Sequence, residues 1–259
     1  MLSCKVGSIP TAKKSALFDD PEKNCMKLAI IPARGGSKRI PRKNSREFCG
    51  QPLIAYSILA AKNCGLFDQI IVSTDDEQIR DIANYYGAQT PFVRPSELAN
   101  DYATTVPVIN HAVRWVQENM GKVDYACCIY ATAPFIQAKA LREAHDMLIS
   151  RKVGGYVFSA TTMPFPIQRS FKIKQDGFVE MFEPHNYNTR SQDLEEAYQD
   201  AGQFYWGSAE TYNSEKIFFS RDSMAYVLPR HMVQDIDTLE DWRRAELMYE
   251  ALKKNGDID

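Results

Sequence analysis

The residues best placed to do chemistry sit in one short run, IPARGGSKRIPRKN, from Ile31 to Asn44. Arg34, Lys38, Arg39, Arg42, Lys43 and, just beyond, Arg46 fall in a stretch without an acid. Six cations converging on one loop suit the densest negative charge a small substrate carries, a triphosphate. Arginine can grip phosphate oxygens with two parallel donors, while lysine acts as a point charge. Gly35 and Gly36 permit tight turns and close approach of a ligand to the backbone. The run follows an apolar, strand-like segment, which puts it at a strand's carboxyl end, where open α/β sheets bind ligands. A solvated basic loop or a nucleic-acid patch is the alternative reading of such a charge run. The spacing excludes a Walker loop, which needs G-x-x-x-x-G-K-[ST], and a dinucleotide G-x-G-x-x-G fingerprint.

A second candidate lies near the carboxyl terminus. Asp235 and Asp237 are one residue apart, so an extended chain turns both to the same side. Two such carboxylates are hard oxygen ligands for Mg²⁺, or Mn²⁺, which would also bridge substrate phosphates. A structural reading competes, because Asp237 with Glu240 fits the N-cap and capping box of a final helix. Thr74, Asp75 and Asp76 follow another strand-like run and read first as helix caps, with a ligand contact as the alternative. Among the four histidines, His111 and His145 read as structural, and His185 and His231 as surface groups. Six cysteines form no C-x-x-C pair, so zinc is not expected, and Cys127 and Cys128 read as core thiols of a chain kept in a reducing cytoplasm.

The elements that must position these groups show in the apolar rhythm. Continuous apolar runs at 28–31, 69–73, 125–130 and 155–160 read as strands covered on both faces. Helix-length segments lie between them, at 53–62, 77–86, 106–118 and 139–149. The alternation predicts an α/β fold, a Rossmann-like, mostly parallel sheet flanked by helices. The rhythm breaks over residues 161–200, which read as an insertion of short antiparallel strands or loops. It returns at 202–206 and 225–228 and closes with an amphipathic helix at 239–253. Residues 26–259 are expected to form a single domain, preceded by a disordered leader over 1–25. The net charge of −2 gives no global basic field for nucleic acid or a membrane surface. No apolar run approaches the ~20 residues of a membrane span.

The run from Ile31 to Asn44 resembles the signature of the CMP-sialic acid synthetase family, cytidylyltransferases for sialic-acid-like sugars. The likeness continues through Gly50-Gln51-Pro52-Leu53-Ile54, the segment from Phe67 to Asp76, Arg94-Pro95-Ser96-Glu97-Leu98-Ala99 and Asp235-Ile236-Asp237-Thr238. It implies a nucleotidyltransferase-type fold and transfer of CMP from CTP to the anomeric hydroxyl of a nonulosonic acid, with release of pyrophosphate. It implies that Arg34, Ser37, Lys38, Lys43 and Asn44 hold the CTP phosphates, that Arg94 and Thr105 face cytidine, and that Asp235 and Asp237 hold the metal. It also implies a homodimer built through the insertion. Relatives carry a Gln-Pro-Thr-Ser-Pro run where this chain has Tyr130-Ala131-Thr132-Ala133-Pro134. They carry an Asn-Gly motif where it has Ala201-Gly202-Gln203. With residues 190–197 and 200–207, these departures resemble the pseudaminic acid branch of the family. On the sugar side, Gln203 offers an uncharged donor and acceptor for acylated amino and hydroxyl groups. Tyr205 and Trp206 read either as an aromatic wall against the sugar or as core packing.

Overall fold

The computed structural model describes residues 25–258, so the leader expected over residues 1–25 lies, but for Cys25, outside the described chain. The order of elements is β1 (Met26–Pro32), a short hairpin of β2 (Glu47–Phe48) and β3 (Gln51–Pro52), α1 (Leu53–Cys64), β4 (Gln69–Ser73), α2 (Glu77–Tyr86), α3 (Thr105–Asn119), β5 (Val123–Ile129), α4 (Ala138–Ser150) and β6 (Val157–Thr162). A hairpin of β7 (Phe171–Ile173) and β8 (Val179–Met181) follows, then β9 (Tyr198–Ser208), α5 (Ala209–Asn213), β10 (Met224–Leu228) and α6 (Leu239–Asn255). The strands and helices read from apolar spacing are all present, with bounds shifted by a few residues at most.

Six strands form one sheet in the order β10-β6-β9-β5-β1-β4. β1 pairs in parallel with β4 and β5, and β10 in parallel with β6. β9 runs antiparallel to both of its neighbours. The return of an apolar strand at 202–206 therefore does not continue the parallel rhythm; it reverses it. The excursion after β6 delivers the chain back to the edge it left, so the next strand has to run the other way.

Successive residues of β1 face opposite layers, as strand geometry requires. Ala29 and Ile31 pack with Ile54, Ile58, Leu141 and Trp206 on the side of α1 and α4. Leu28 and Ile30 pack with Ile109, Val113 and Tyr212 on the side of α3 and α5. Burying each such side chain contributes about 1.5–3 kcal/mol. A third cluster lies off the sheet and joins Ile40 and Phe48 to Ile236, Trp242 and Tyr249. It ties the basic loop to the start of α6, a long-range packing that no local periodicity signals.

Because β1, β4, β5, β6 and β10 are mutually parallel, their carboxyl ends share one edge. The basic loop, Thr74–Asp76, Tyr130, Thr161 and Arg230 all follow or end those strands. β9 starts at the same edge, where Asp200 stands opposite Ala160. The excursion between β6 and β9 contains the β7–β8 hairpin and 3-10 turns. Phe165, Phe171, Phe178 and Phe182 are 56–78% exposed along it.

Candidate active site

The basic loop is held by neighbours at both ends. Ala33 donates to the Ser73 carbonyl at 2.9 Å, and the Gly35 amide donates to Asp75 Oδ1 at 3.0 Å. A β-carbon on Gly35 would sit 2.7 Å from Asp76 Oδ2, so only glycine fits there. Asp76 is fixed in turn, accepting from the Ile79 amide at 2.9 Å as the N-cap of α2. Thus Asp76 is a cap, as its position suggested, and Asp75 a brace for the glycine turn. Farther along, Arg42 adopts a left-handed φ of 57°. Its carbonyl accepts from the amides of Ser45 and Arg46. Asn44 is buried; its Nδ2 donates to the Arg34 carbonyl at 3.0 Å and its carbonyl accepts from Ile54.

The cations of the loop fall into two groups. Arg34 pairs with Asp101 at 2.9 Å and donates to the Asn100 carbonyl. Lys38 also pairs with Asp101. An incoming anion therefore competes with one carboxylate for two cations. Arg39 and Lys43 face the other way, toward Asp237, at 2.7 and 3.5 Å. Lys43 Nζ also donates to the Ile236 carbonyl at 2.6 Å. Its side chain is only 17% exposed, so it is a strut between the two motifs rather than a free loop cation.

Ile236 points into the third core cluster and is fully buried. That leaves Asp235 and Asp237 flanking it on the outer side. Burial, and then the neighbouring Asp237 carboxylate, push the Asp235 carboxyl above its usual range. Two carboxylates flanking one buried residue form a hard oxygen donor set that fits a divalent cation. The described residues hold no cluster of three or more metal-type ligands, so substrate oxygens would have to complete the shell. The capping expectation for Asp237 and Glu240 is corrected. Thr238 is the N-cap of α6 and accepts from the Asp241 amide, while Asp241 reaches back to the Thr238 amide to complete the capping box. The box is shifted by one residue because Asp237 is turned outward to Arg39 and Lys43.

Two cavities open along the carboxyl edge and meet at Tyr130. The smaller, about 270 Å³, is lined by Arg34, Asn44, Arg94, Asp101, Thr105 and Tyr130 among others. Arg94 is 5% exposed, its Nε donating to Ser73 Oγ at 3.1 Å and a second nitrogen to the Ser73 carbonyl. Burial pushes its guanidinium pKa down to about 10. Thr105 opens α3, and its hydroxyl lies 2.9 Å from the Tyr130 hydroxyl. The larger cavity, about 450 Å³, has Tyr130, Thr161, Asp200, Arg230, Asp235 and Arg244 in its lining.

The structure thus brings together Arg34, Asn44, Arg94 and Thr105 around the smaller cavity, with Lys38 joined to them through Asp101. It brings Lys43 and Asp237 together beside Asp235. Ser37 lies in the same glycine turn, its amide donating to the Gly35 carbonyl. Gln203 and Tyr205, expected at the sugar, are instead interior. Gln203 is 3% exposed, and its Nε2 donates to the Met232 carbonyl at 2.6 Å. Tyr205 is fully buried with its hydroxyl on Asp200. Both lie in the middle of β9, between β5 and β6, so neither reaches the cleft wall. Trp206 is core as well, stacked on Phe67. Asp101, Arg230 and Arg244 lie in no motif of the sequence, whereas Tyr130 and Asp200 stand in the segments that resemble the pseudaminic acid branch, Tyr130 where relatives carry glutamine.

A glycine-containing cation loop at the strand ends, beside paired carboxylates and two adjoining cavities, defines an α/β protein with the layout of a nucleotide-handling enzyme. Residues 28–251 match the family described as cytidylyltransferase, and the chain belongs to that family. It is 45% identical over 86% of its length to a pseudaminic acid cytidylyltransferase of Campylobacter jejuni, 96% of which is covered. It is 32% identical over 86% of its length to a CMP-N,N'-diacetyllegionaminic acid synthase of Legionella pneumophila, again covering 96% of that protein. Among solved structures, a CMP:2-keto-3-deoxy-manno-octonic acid synthetase complexed with CTP superposes with a TM-score of 0.65 at 13% identity. The match covers 87% of this chain and 99% of that one, a likeness of fold.

Proposed function

We propose that this chain transfers CMP from CTP to pseudaminic acid, giving CMP-pseudaminic acid and pyrophosphate. The observation that carries the reading is the pair of cavities meeting at Tyr130, one edged by the phosphate-type cations and the other by Asp235. The 45% identity to pseudaminic acid cytidylyltransferases selects the sugar.

In this reading the nucleotide takes the smaller cavity. Arg94 and Thr105 face cytidine, and Arg34, Ser37, Lys38 and Asn44 face the phosphates. The anomeric hydroxyl of the sugar, in the larger cavity, attacks the α-phosphorus, and pyrophosphate leaves in line. No covalent enzyme intermediate is needed; catalysis is positioning and charge neutralisation. Arg34 and Lys38 exchange Asp101 for the departing pyrophosphate. Lys43 holds Asp237 and the backbone of Ile236 in place, and so fixes the outward direction of both acids. Asp235 and Asp237 would hold Mg²⁺ or Mn²⁺, which supplies Lewis-acid polarisation of the phosphate.

The exposed phenylalanines of the excursion between β6 and β9 support a homodimer in which the partner's excursion closes the sugar side. Among the described residues no helix is long and apolar enough to cross a membrane. A cytoplasmic site for the reaction is supported by its CTP substrate and by the five free cysteines among the described residues. A pyrophosphate-release assay tests the function. Release from CTP is expected only when an acceptor sugar is present, fastest with pseudaminic acid, with loss on chelation and recovery with Mg²⁺. Absence of release with any nonulosonic acid contradicts the reading.

A further inference from the structure

We infer that Arg230 and Arg244 form the carboxylate clamp for the acceptor sugar, on the same chain that supplies Asp235. The inference rests on the reading above, which places a nonulosonic acid in the larger cavity.

In such a sugar the carboxylate and the attacking hydroxyl are attached to one carbon. The carboxylate therefore has to lie close to the reacting phosphorus and close to Asp235 and Asp237. That is an anionic neighbourhood, and a carboxylate brought there needs cations of its own. The cations of the basic loop are committed elsewhere: Arg34 and Lys38 to Asp101, Arg39 and Lys43 to Asp237, and Arg42 to the vicinity of Asp76. None of these five lines the larger cavity; Arg230 and Arg244 do, and they are the cations in its lining.

Neither guanidinium has a carboxylate within 4.0 Å or a hydrogen-bond acceptor among the described residues. Each guanidinium keeps its fork of donors for a ligand, the geometry that matches a carboxylate with two parallel bonds. The two come from different elements that bracket Asp235. Arg230 opens the 3-10 turn Arg230–Met232, and Arg244 lies in the second turn of α6. Both elements are anchored. Met232 and Trp242 are buried in the third core cluster with Ile236, and Gln203 Nε2 holds the Met232 carbonyl at 2.6 Å. This gives buried Gln203 a role: it fixes the turn that carries Arg230 rather than touching sugar. A cavity of about 450 Å³ is in the size range of small-molecule sites.

The test uses the full chain with Arg230→Gln, Arg244→Gln, the double variant and the two Arg→Lys variants. Pyrophosphate release is measured with CTP and either pseudaminic acid or its C1 carboxamide, and CTP binding is measured by calorimetry. Each Gln variant is expected to raise KM for pseudaminic acid at least tenfold while the Kd for CTP stays within twofold. The Lys variants should recover part of the loss because they keep the charge. Wild type should prefer the acid over the carboxamide at least tenfold, and the double Gln variant should not discriminate. A double variant with KM within threefold of wild type, or with the acid preference intact, overturns the clamp while leaving the cytidylyltransferase reading in place. A wild-type chain that binds CTP but releases no pyrophosphate with any nonulosonic acid overturns both.

Discussion

Arg34 and Lys43 are both cations of one loop, yet their surroundings give them different duties. The Arg34 side chain is a third exposed, and its guanidinium pairs with the loop that carries Asn100 and Asp101. Arg34→Ala should leave the melting temperature unchanged and weaken kcat/KM for CTP by the loss of a charge-assisted contact, roughly 1.5–3 kcal/mol. Near-wild-type kcat/KM would remove Arg34 from the site. Lys43→Ala should lower activity and also the melting temperature, because its ammonium bridges the Ile236 carbonyl and Asp237. At the same scale, burial lowers the pKa of His145, with Asp146 opposing weakly, and burial lowers that of His111. The unfolded chain takes up these protons below about pH 6.5 while the folded chain resists. Stability should therefore be flat above that pH and fall as pH drops below it. Urea melts of wild type and His145→Gln should show a shallower acid-side loss in the variant. An equal slope would mean that His145 titrates normally.

At the scale of elements, the start of α6 assigns to different residues the capping and metal-ligand roles that compete for Asp237 in the sequence. Thr238 and Asp241 cap the helix, and Asp237 stands just outside it. Thr238→Ala should cost about 1 kcal/mol of stability and little activity. Asp237→Asn should do the reverse, abolishing Mg²⁺-dependent turnover with little change in melting temperature. Full turnover in Asp237→Asn would place the metal elsewhere. The elements themselves were legible because their signals are local. The apolar runs of β1, β4 and β5 and the spacing of Ile79, Ile82 and Ala83 on α2 need no partner to be read. The direction of β9 was not legible, since Phe204, Tyr205 and Trp206, buried whichever way the strand runs, give the same pattern in either sense. For the same reason Gln203 and Tyr205 could be mistaken for cleft residues. The packing of Ile40 on Ile236 joins the two chemical motifs across nearly the whole chain, and nothing in either segment announces it. Arg230 and Arg244 lie in no motif and become visible only when the cavity is drawn.

On the scale of the whole molecule, the sheet gathers the ends of its parallel strands on one edge, and a dense run of exposed apolar side chains lies on the excursion between β6 and β9. Phe171 and Phe178 are more than half exposed there. A two-fold homodimer is expected by light scattering, and Phe171→Asp with Phe178→Asp should yield a monomer that still binds CTP but turns over poorly. A wild-type chain that is monomeric and fully active would refute that assembly. The central claim is that this chain activates pseudaminic acid with CTP, and the most direct measurement is pyrophosphate release with pseudaminic and N-acetylneuraminic acids side by side at fixed CTP and Mg²⁺. The account predicts kcat/KM at least tenfold higher for pseudaminic acid, about 1.4 kcal/mol of transition-state discrimination. Equal values for the two sugars, or a preference for N-acetylneuraminic acid, would contradict it.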